Sequence, residues 1–194
     1  MNVNILLFPD FETLDAFGPV EVLGRIEQYR LHYVSITGGT IVSRQGVPVL
    51  TENINDVDAT GILLIPGGQG TRPLVNEDEY INKLANAALL SEYCLTVCTG
   101  SALLAKTGVL DYKKATSNKK AFEWVKSINT KVLWINHARW VVDEKYYTSS
   151  GVSAGIDMAL GFVADQFGNE KAEEIANHIE YLWNPDPCND KFAI

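Results

Sequence analysis

The fold of this chain is decided by residues 93–105, whose sequence is YCLTVCTGSALLA. An apolar run that favours a β-strand leads to Cys98, and a threonine, a glycine and a serine then open a helix-forming series. This order predicts a strand, a sharp turn and a helix, with Cys98 at the turn. The positive end of a helix macrodipole favours thiolate over thiol there. Cys98 is therefore the candidate nucleophile, and the alternative is a cysteine that only packs in the core.

Strand and helix patterns alternate on both sides of this stretch. Apolar runs at residues 3–8, 31–37 and 61–66 predict strands, and residues 40–51 and 140–149 predict antiparallel hairpins. Helical spacing is found in four further segments, at residues 15–26, 76–90, 153–167 and 169–182. The expected fold class is α/β, a three-layer sandwich with a mostly parallel central sheet and helices on both faces.

Size and charge limit the function classes. A chain of 194 residues is expected to form a single domain over residues 1–194. Its net charge of -8 argues against a nucleic-acid footprint, and no basic amphipathic stretch indicates a membrane surface. Three cysteines without framework spacing, and an N-terminus without a basic leader region, favour a cytoplasmic protein.

Three loops are expected to meet at one edge of the sheet. In parallel sheets, ligands collect at the carboxyl ends of the strands. Residues 8–10, 66–68 and 98–100 each follow a predicted strand. This placement gives Cys98 support that is independent of its own turn.

Several segments together resemble the ThiJ/PfpI superfamily, whose fold is the class I glutamine-amidotransferase-like sandwich. The segments are LDAFGPVEV at 14–22, IPGG at 65–68, VCTGS at 97–101, TGVLD at 107–111, AT at 115–116 and SSGVSAGID at 149–157. The resemblance extends from residue 3 to about residue 182. Within the superfamily, the pairing of the first segment with a cysteine-threonine-glycine turn resembles the isonitrile hydratase branch, and the sensor domains of some AraC-type regulators share it.

The resemblance implies roles for individual residues. Cys98 would be the nucleophile and Asp15 the acidic partner close to its sulfur. The backbone N–H groups of Gly68 and Thr99 would form a donor pair like an oxyanion hole, to which the Thr99 hydroxyl would add. From the residues alone, Asp15 also fits an acid in the first turn of a helix, and the glycines fit a plain turn.

Two departures from the family pattern bear on the substrate. Many members place a histidine directly after the cysteine, where this chain has Thr99. Asn118 stands where relatives often carry another histidine, and it is assigned to substrate binding together with Gly67. Without the first histidine, a Cys-His pair of the hydrolase kind is absent.

The leading hypothesis is a cysteine-dependent enzyme that hydrates an isonitrile to an N-substituted formamide. One alternative is an intracellular protease or amidase; another is a redox sensor or ligand-binding protein with a reactive cysteine. We expect a small-molecule substrate, a homodimer, and neither a cofactor, a metal, nucleic acid nor a membrane as partner. A regulator role is disfavoured because no helix-turn-helix pattern follows residue 182.

Overall fold

The computed structural model describes residues 1–193, in which strands and helices alternate along the chain. The strands are β1 (Asn2–Leu6), β2 (Arg30–Ser35), β3 (Gly39–Val42), β4 (Pro48–Asn53), β5 (Ile62–Ile65), β6 (Tyr93–Thr96), β7 (Lys114–Ala115), β8 (Leu133–Trp134), β9 (Trp140–Asp143) and β10 (Tyr146–Ser149). The helices are α1 (Thr13–Leu23), α2 (Thr71–Leu74), α3 (Asp78–Leu90), α4 (Gly100–Lys106), α5 (Phe122–Ile128), α6 (Ala154–Phe167) and α7 (Asn169–His178).

Eight strands form one sheet in the order β3-β4-β2-β1-β5-β6-β10-β9. From β4 to β10 in this order, every pair of neighbouring strands is parallel. The antiparallel pairs are β3 with β4 and β9 with β10, at the two edges. Both hairpins and the mostly parallel sheet predicted from the sequence are therefore confirmed.

Helices cover the sheet in two groups. Helix α6 packs against α1 and α7, whereas α4 packs against α2, α3 and α5. The central strands have no exposed face, and every residue of β5 is buried. Gly18 allows α1 to approach α6 closely, because a Cβ there would lie 2.8 Å from Cγ1 of Ile156. The three-layer α/β architecture is confirmed, and it fixes where α1 enters the site described below.

The structure also contains elements that the sequence patterns did not predict. Helix α2 has four residues and includes Pro73, α5 has seven, and β7 pairs with β8 through only two residues each. Helix α7 ends at His178 rather than at residue 182. Glu180 adopts a φ of 53°, and the Tyr181 N–H donates to the Ala176 carbonyl at 2.9 Å, which closes the helix end.

The chain after α7 folds back onto the turns around β9. The Arg139 N–H donates to the Pro187 carbonyl at 2.8 Å, and the Asp190 N–H donates to the His137 carbonyl at 3.0 Å. Asp190 is buried as a result. Within residues 1–193, no helix has the length and apolar character needed to cross a bilayer.

Candidate functional site

Cys98 lies between the end of β6 and the start of α4, as the sequence predicted. Its φ is 56°, a left-handed conformation that costs an ordinary residue about 1–2 kcal/mol. Three hydrogen bonds hold it: its N–H donates to the Ser150 carbonyl at 2.9 Å, and its carbonyl accepts from the hydroxyls of Ser101 at 3.0 Å and Ser117 at 2.8 Å. The surrounding chain therefore fixes a strained turn that presents the cysteine side chain.

Asp15 reaches the same place from the first turn of α1. Its side chain is fully buried, and its Oδ2 accepts the Gly67 N–H at 3.0 Å. Its Oδ1 is also buried but makes no hydrogen bond within the described residues. The carboxyl and the Cys98 thiol are close enough to shift each other's pKa. Oδ1 is thus the carboxyl oxygen free to exchange a proton with a group beside the sulfur.

Burial dominates the acidity of both side chains. It raises the pKa of Asp15 to about 7, while the Gly67 N–H lowers it, the Glu12 charge raises it and the Cys98 thiol lowers it. Burial also raises the pKa of the Cys98 thiol well above its ordinary value, and the Asp15 charge adds to this increase. Burial therefore favours the thiol over the thiolate form of Cys98.

This direction corrects the expectation of a thiolate favoured by the helix. The N–H and hydroxyl of Thr99 do lower the pKa of Cys98, but their effect is smaller than that of burial. Helix α4 has only seven residues, so its N-terminus has a weak dipole. Cys98 is only 8% exposed, so its sulfur is largely removed from water. Desolvation of the charged sulfur outweighs the donors at the start of such a short helix.

Thr99 is the centre of a small hydroxyl network. Its Oγ1 accepts the Gly68 N–H at 3.1 Å and lies 3.2 Å from the Thr71 Oγ1. The Thr71 hydroxyl donates to the Gly68 carbonyl at 2.8 Å. The Gly68 N–H is thus engaged by Thr99, and its predicted role in a donor pair would require the Thr99 side chain to rotate. The Thr99 N–H, in contrast, is directed to the Cys98 sulfur.

The two residues assigned to substrate binding occupy different positions. Gly67 lies against Asp15 and Thr99, since a Cβ on Gly67 would be 2.8 Å from the Asp15 Oδ2 and 2.7 Å from the Thr99 Oγ1. Only glycine fits there, and its backbone packs directly against the Asp15 carboxyl. Asn118 accepts the Ala121 N–H on its Oδ1 at 3.2 Å and so caps a short helical turn. Its Nδ2 is left for other partners.

Sequence reasoning missed Thr71 and Arg72, which follow the glycine-rich loop. Thr71 is fully buried within the hydroxyl network, and the Arg72 guanidinium lies flat on the Trp124 ring. The available signal was a threonine and an arginine directly after PGGQG at residues 66–70. Within this region, the sequence predicted roles for Gly67 and Gly68 alone. In the part of the chain that is described, no group of three His, Cys, Asp or Glu side chains is arranged to hold a metal ion.

Comparison with known proteins identifies the family of this chain. Residues 1–165 match the model of the DJ-1/PfpI family. The chain is 28% identical to the isonitrile hydratase of Pseudomonas putida, over 95% of this chain and 80% of that protein. A solved ThiJ/PfpI family protein from Pseudomonas syringae superposes with a TM-score of 0.83 at 25% identity, covering 95% of this chain and 76% of that one.

A second kind of relative is a regulator. The chain is 24% identical to the HTH-type transcriptional regulator GbdR of Pseudomonas aeruginosa, over 93% of this chain and 50% of that protein. The chain thus spans about half the length of this relative. That the present chain binds no nucleic acid stays a prediction, because such relatives include regulators.

Proposed function

Because this chain belongs to the DJ-1/PfpI family, we propose that it hydrates isonitriles to N-substituted formamides, with Cys98 as the nucleophile. The observation that carries the proposal is the Asp15–Cys98 pair. A fully buried carboxyl with one unpaired oxygen lies beside a thiol, and its pKa is raised to about 7. A group whose pKa lies near the operating pH is suited to both accept and donate a proton.

The first step adds the thiol across the terminal carbon of the isonitrile. Ionised Asp15 takes the proton of the Cys98 thiol as the sulfur forms a bond to that carbon. Asp15 then gives the proton to the same carbon, which yields a thioimidate with no leaving group. Since burial favours the thiol form of Cys98, a base at this position assists formation of the attacking thiolate.

The second step consumes water. Asp15, ionised again, accepts a proton from a water molecule as the water oxygen attacks the thioimidate carbon. The carbon–sulfur bond of the adduct then breaks, the proton left on the added oxygen moves to the nitrogen so that an N-substituted formamide leaves, and Asp15 returns its proton to the sulfur. The sum is one isonitrile and one water converted to one formamide, with Cys98 and Asp15 regenerated.

Thr99 supports both steps. Its N–H and its hydroxyl lower the pKa of Cys98 and therefore stabilise the sulfur when it carries charge. The Gly68 N–H and the Thr71 hydroxyl hold the Thr99 side chain in place. Gly68 acts as a direct donor to the substrate only when Thr99 rotates away.

The hydrolase alternative is disfavoured by the absence of a histidine base. Thr99 occupies the position after the cysteine, and two of the three histidines have partners elsewhere, His32 with Glu52 and His178 with Arg25. A peroxide sensor needs a thiolate that forms readily, and burial of Cys98 opposes this. A ligand-binding role without turnover is the second candidate, favoured by the match to a regulator.

Turnover of aliphatic isonitriles, measured as formamide production, tests the proposal. The wild type is expected to be active, and Cys98→Ala and Asp15→Asn are each expected to lose at least about a thousandfold in rate, because each removes a group of the reacting pair. Cys188→Ala is the matched control, since Cys188 is exposed. No formamide from the wild type, combined with saturable binding of a small molecule at Cys98, would favour the ligand-binding candidate instead.

A further inference from the structure

The Arg72 guanidinium stacks on the ring of Trp124. Arg72 is the second residue of α2 and is partly buried. Its Cζ lies 3.5 Å from the centroid of the Trp124 ring, which belongs to α5. A guanidinium stacked on an aromatic face loses freedom and keeps its N–H donors, which lie in its own plane, for other partners.

The charge of Arg72 is not neutralised by a carboxylate. Arg25, Arg44 and Arg139 pair with Glu21, Asp10 and Asp157 respectively. Among residues 1–193, no such ion pair involves Arg72 or the exposed Arg30. The charge of Arg72 is therefore not neutralised by a carboxylate of this chain, and an anionic ligand can pair with it.

Arg72 also lies near the Cys98 turn, because α2 packs against α4. The preceding residue, Thr71, has its hydroxyl 3.2 Å from the Thr99 Oγ1, directly next to Cys98 along the chain. Burial lowers the pKa of Arg72 and a charge on the Cys98 sulfur raises it, so the two groups interact electrostatically. The Thr71–Thr99 contact and this electrostatic interaction place Arg72 and Cys98 in the same region of the molecule.

We propose that Arg72, held on Trp124, binds an anionic group, most simply a carboxylate, on the molecule that reacts at Cys98. Planar guanidinium and carboxylate groups match as two parallel hydrogen bonds. If the proposed hydration holds, the preferred substrates are isonitriles that carry a carboxylate close to the reacting carbon. The choice of isonitrile rests on the proposed function, whereas the anion subsite is testable without it.

Alkylation of Cys98 by iodoacetate and by iodoacetamide provides that test. In both reactions the sulfur forms a bond to the CH2 carbon and iodide leaves. The two reagents differ only in their other end, which is a carboxylate in iodoacetate and a neutral amide in iodoacetamide. The rate ratio of iodoacetate to iodoacetamide, measured at Cys98 by peptide mass spectrometry, is expected to exceed the ratio at exposed Cys188 in the same sample. Arg72→Gln is expected to lower the ratio at Cys98 by about tenfold or more, and to leave Cys188 unchanged.

Three variants make the outcome decisive. Arg72→Lys is expected to be intermediate, because it keeps the charge without the paired donors. Trp124→Leu, which leaves Arg72 unsupported, should also lower the ratio, and it serves if Arg72→Gln fails to fold. Arg44→Gln is the matched control for loss of a surface arginine. If Arg72→Gln slows both reagents equally, Arg72 acts only on the sulfur and the subsite is refuted.

A second arm connects the subsite to turnover. Isocyanoacetate and its neutral ethyl ester are compared as substrates, and isocyanoacetate is expected to have the higher kcat/KM in the wild type, with the preference lost in Arg72→Gln. Equal kcat/KM values in the wild type would overturn the subsite. If neither compound yields a formamide, the proposed hydration fails, and the alkylation ratio still decides the subsite.

Discussion

The Gly67 N–H donates to only one oxygen of Asp15, Oδ2, at 3.0 Å, and leaves the buried Oδ1 without a partner. A buried polar atom without a hydrogen bond is uncommon and costly. In this position it leaves the carboxyl able to hold or release a proton. The unpartnered Oδ1 therefore lowers the stability of the fold at the position where the proposed reaction needs a group that carries a proton.

Asp15 is expected to make stability fall as pH rises. Its pKa increases from 3.8 to about 7 on folding, so between these values the folded protein holds a proton that the unfolded chain has lost. The free energy of unfolding therefore decreases across this window and levels off above about pH 7. Each tenfold difference in proton affinity corresponds to about 1.4 kcal/mol.

Urea unfolding of the wild type and of Asp15→Asn between pH 4 and pH 8 measures this effect. The variant is expected to gain stability relative to the wild type as pH rises. Asp111→Asn is the control with the opposite sign, because Lys131 and Asn129 lower the pKa of Asp111, so its contribution is lost at acid pH. Parallel curves for the wild type and Asp15→Asn would contradict the raised pKa.

Thr99 is expected to act through its hydroxyl. Thr99→Val leaves the Gly68 N–H without its partner, at a cost of about 1–3 kcal/mol in stability, whereas the Thr71 hydroxyl keeps its bond to the Gly68 carbonyl. It should also lower kcat by at least about tenfold, since a donor to the sulfur is lost. Thr99→Ser keeps the hydroxyl and should retain most of both. Equal kcat for the two variants would show that the hydroxyl has no part in the reaction.

Asn118 offers a way to separate capping from binding. Asn118→Asp retains an oxygen that accepts the Ala121 N–H but loses the Nδ2 donors. If Asn118 binds substrate, as predicted, KM rises while the unfolding free energy stays within about 0.5 kcal/mol of the wild type. Asn118→Ala should lose about 1 kcal/mol of stability as well. An unchanged KM in Asn118→Asp would limit the residue to capping.

The segment after α7 is expected to stabilise the fold through Asp190. Its carboxyl lies 3.8 Å from the Lys119 Nζ and 3.7 Å from the Arg139 Nη1, and it accepts a hydrogen bond from the Ser150 hydroxyl. Asp190→Asn leaves two buried cations without this charge and should cost about 3 kcal/mol in urea unfolding. Asp10→Asn, at an exposed ion pair, should cost less than about 1 kcal/mol. Equal losses would refute the assigned role.

Local patterns were enough to predict the sheet and the turn at Cys98. Residues 61–66 are apolar throughout because β5 is buried on both faces, and residues 93–105 change from strand to helix at one cysteine. The four-residue α2 and the two-residue pairing of β7 with β8 were not predicted, because elements this short have too few residues to show a period. The left-handed conformation of Glu180 follows the end of α7, and no sequence pattern predicted it.

The candidate site was predictable in its members but not in its electrostatics. Cys98 was predicted from the strand-turn-helix pattern and Asp15 from the family resemblance, and in the structure the two side chains are close enough to shift each other's pKa. The acidity of Cys98 was expected to follow the helix, whereas it follows burial, which is a property of the whole fold. Arg72 was missed because its role depends on Trp124, which is distant in sequence.

The most direct test of the proposed reaction is rapid-quench mass spectrometry of the protein mixed with an aliphatic isonitrile. The proposed chemistry predicts a transient adduct on the peptide containing Cys98, with the full mass of the isonitrile because no group leaves. The adduct should be absent in Cys98→Ala and should accumulate less in Asp15→Asn. Formamide production with no adduct on Cys98 at any time would contradict covalent catalysis by this residue.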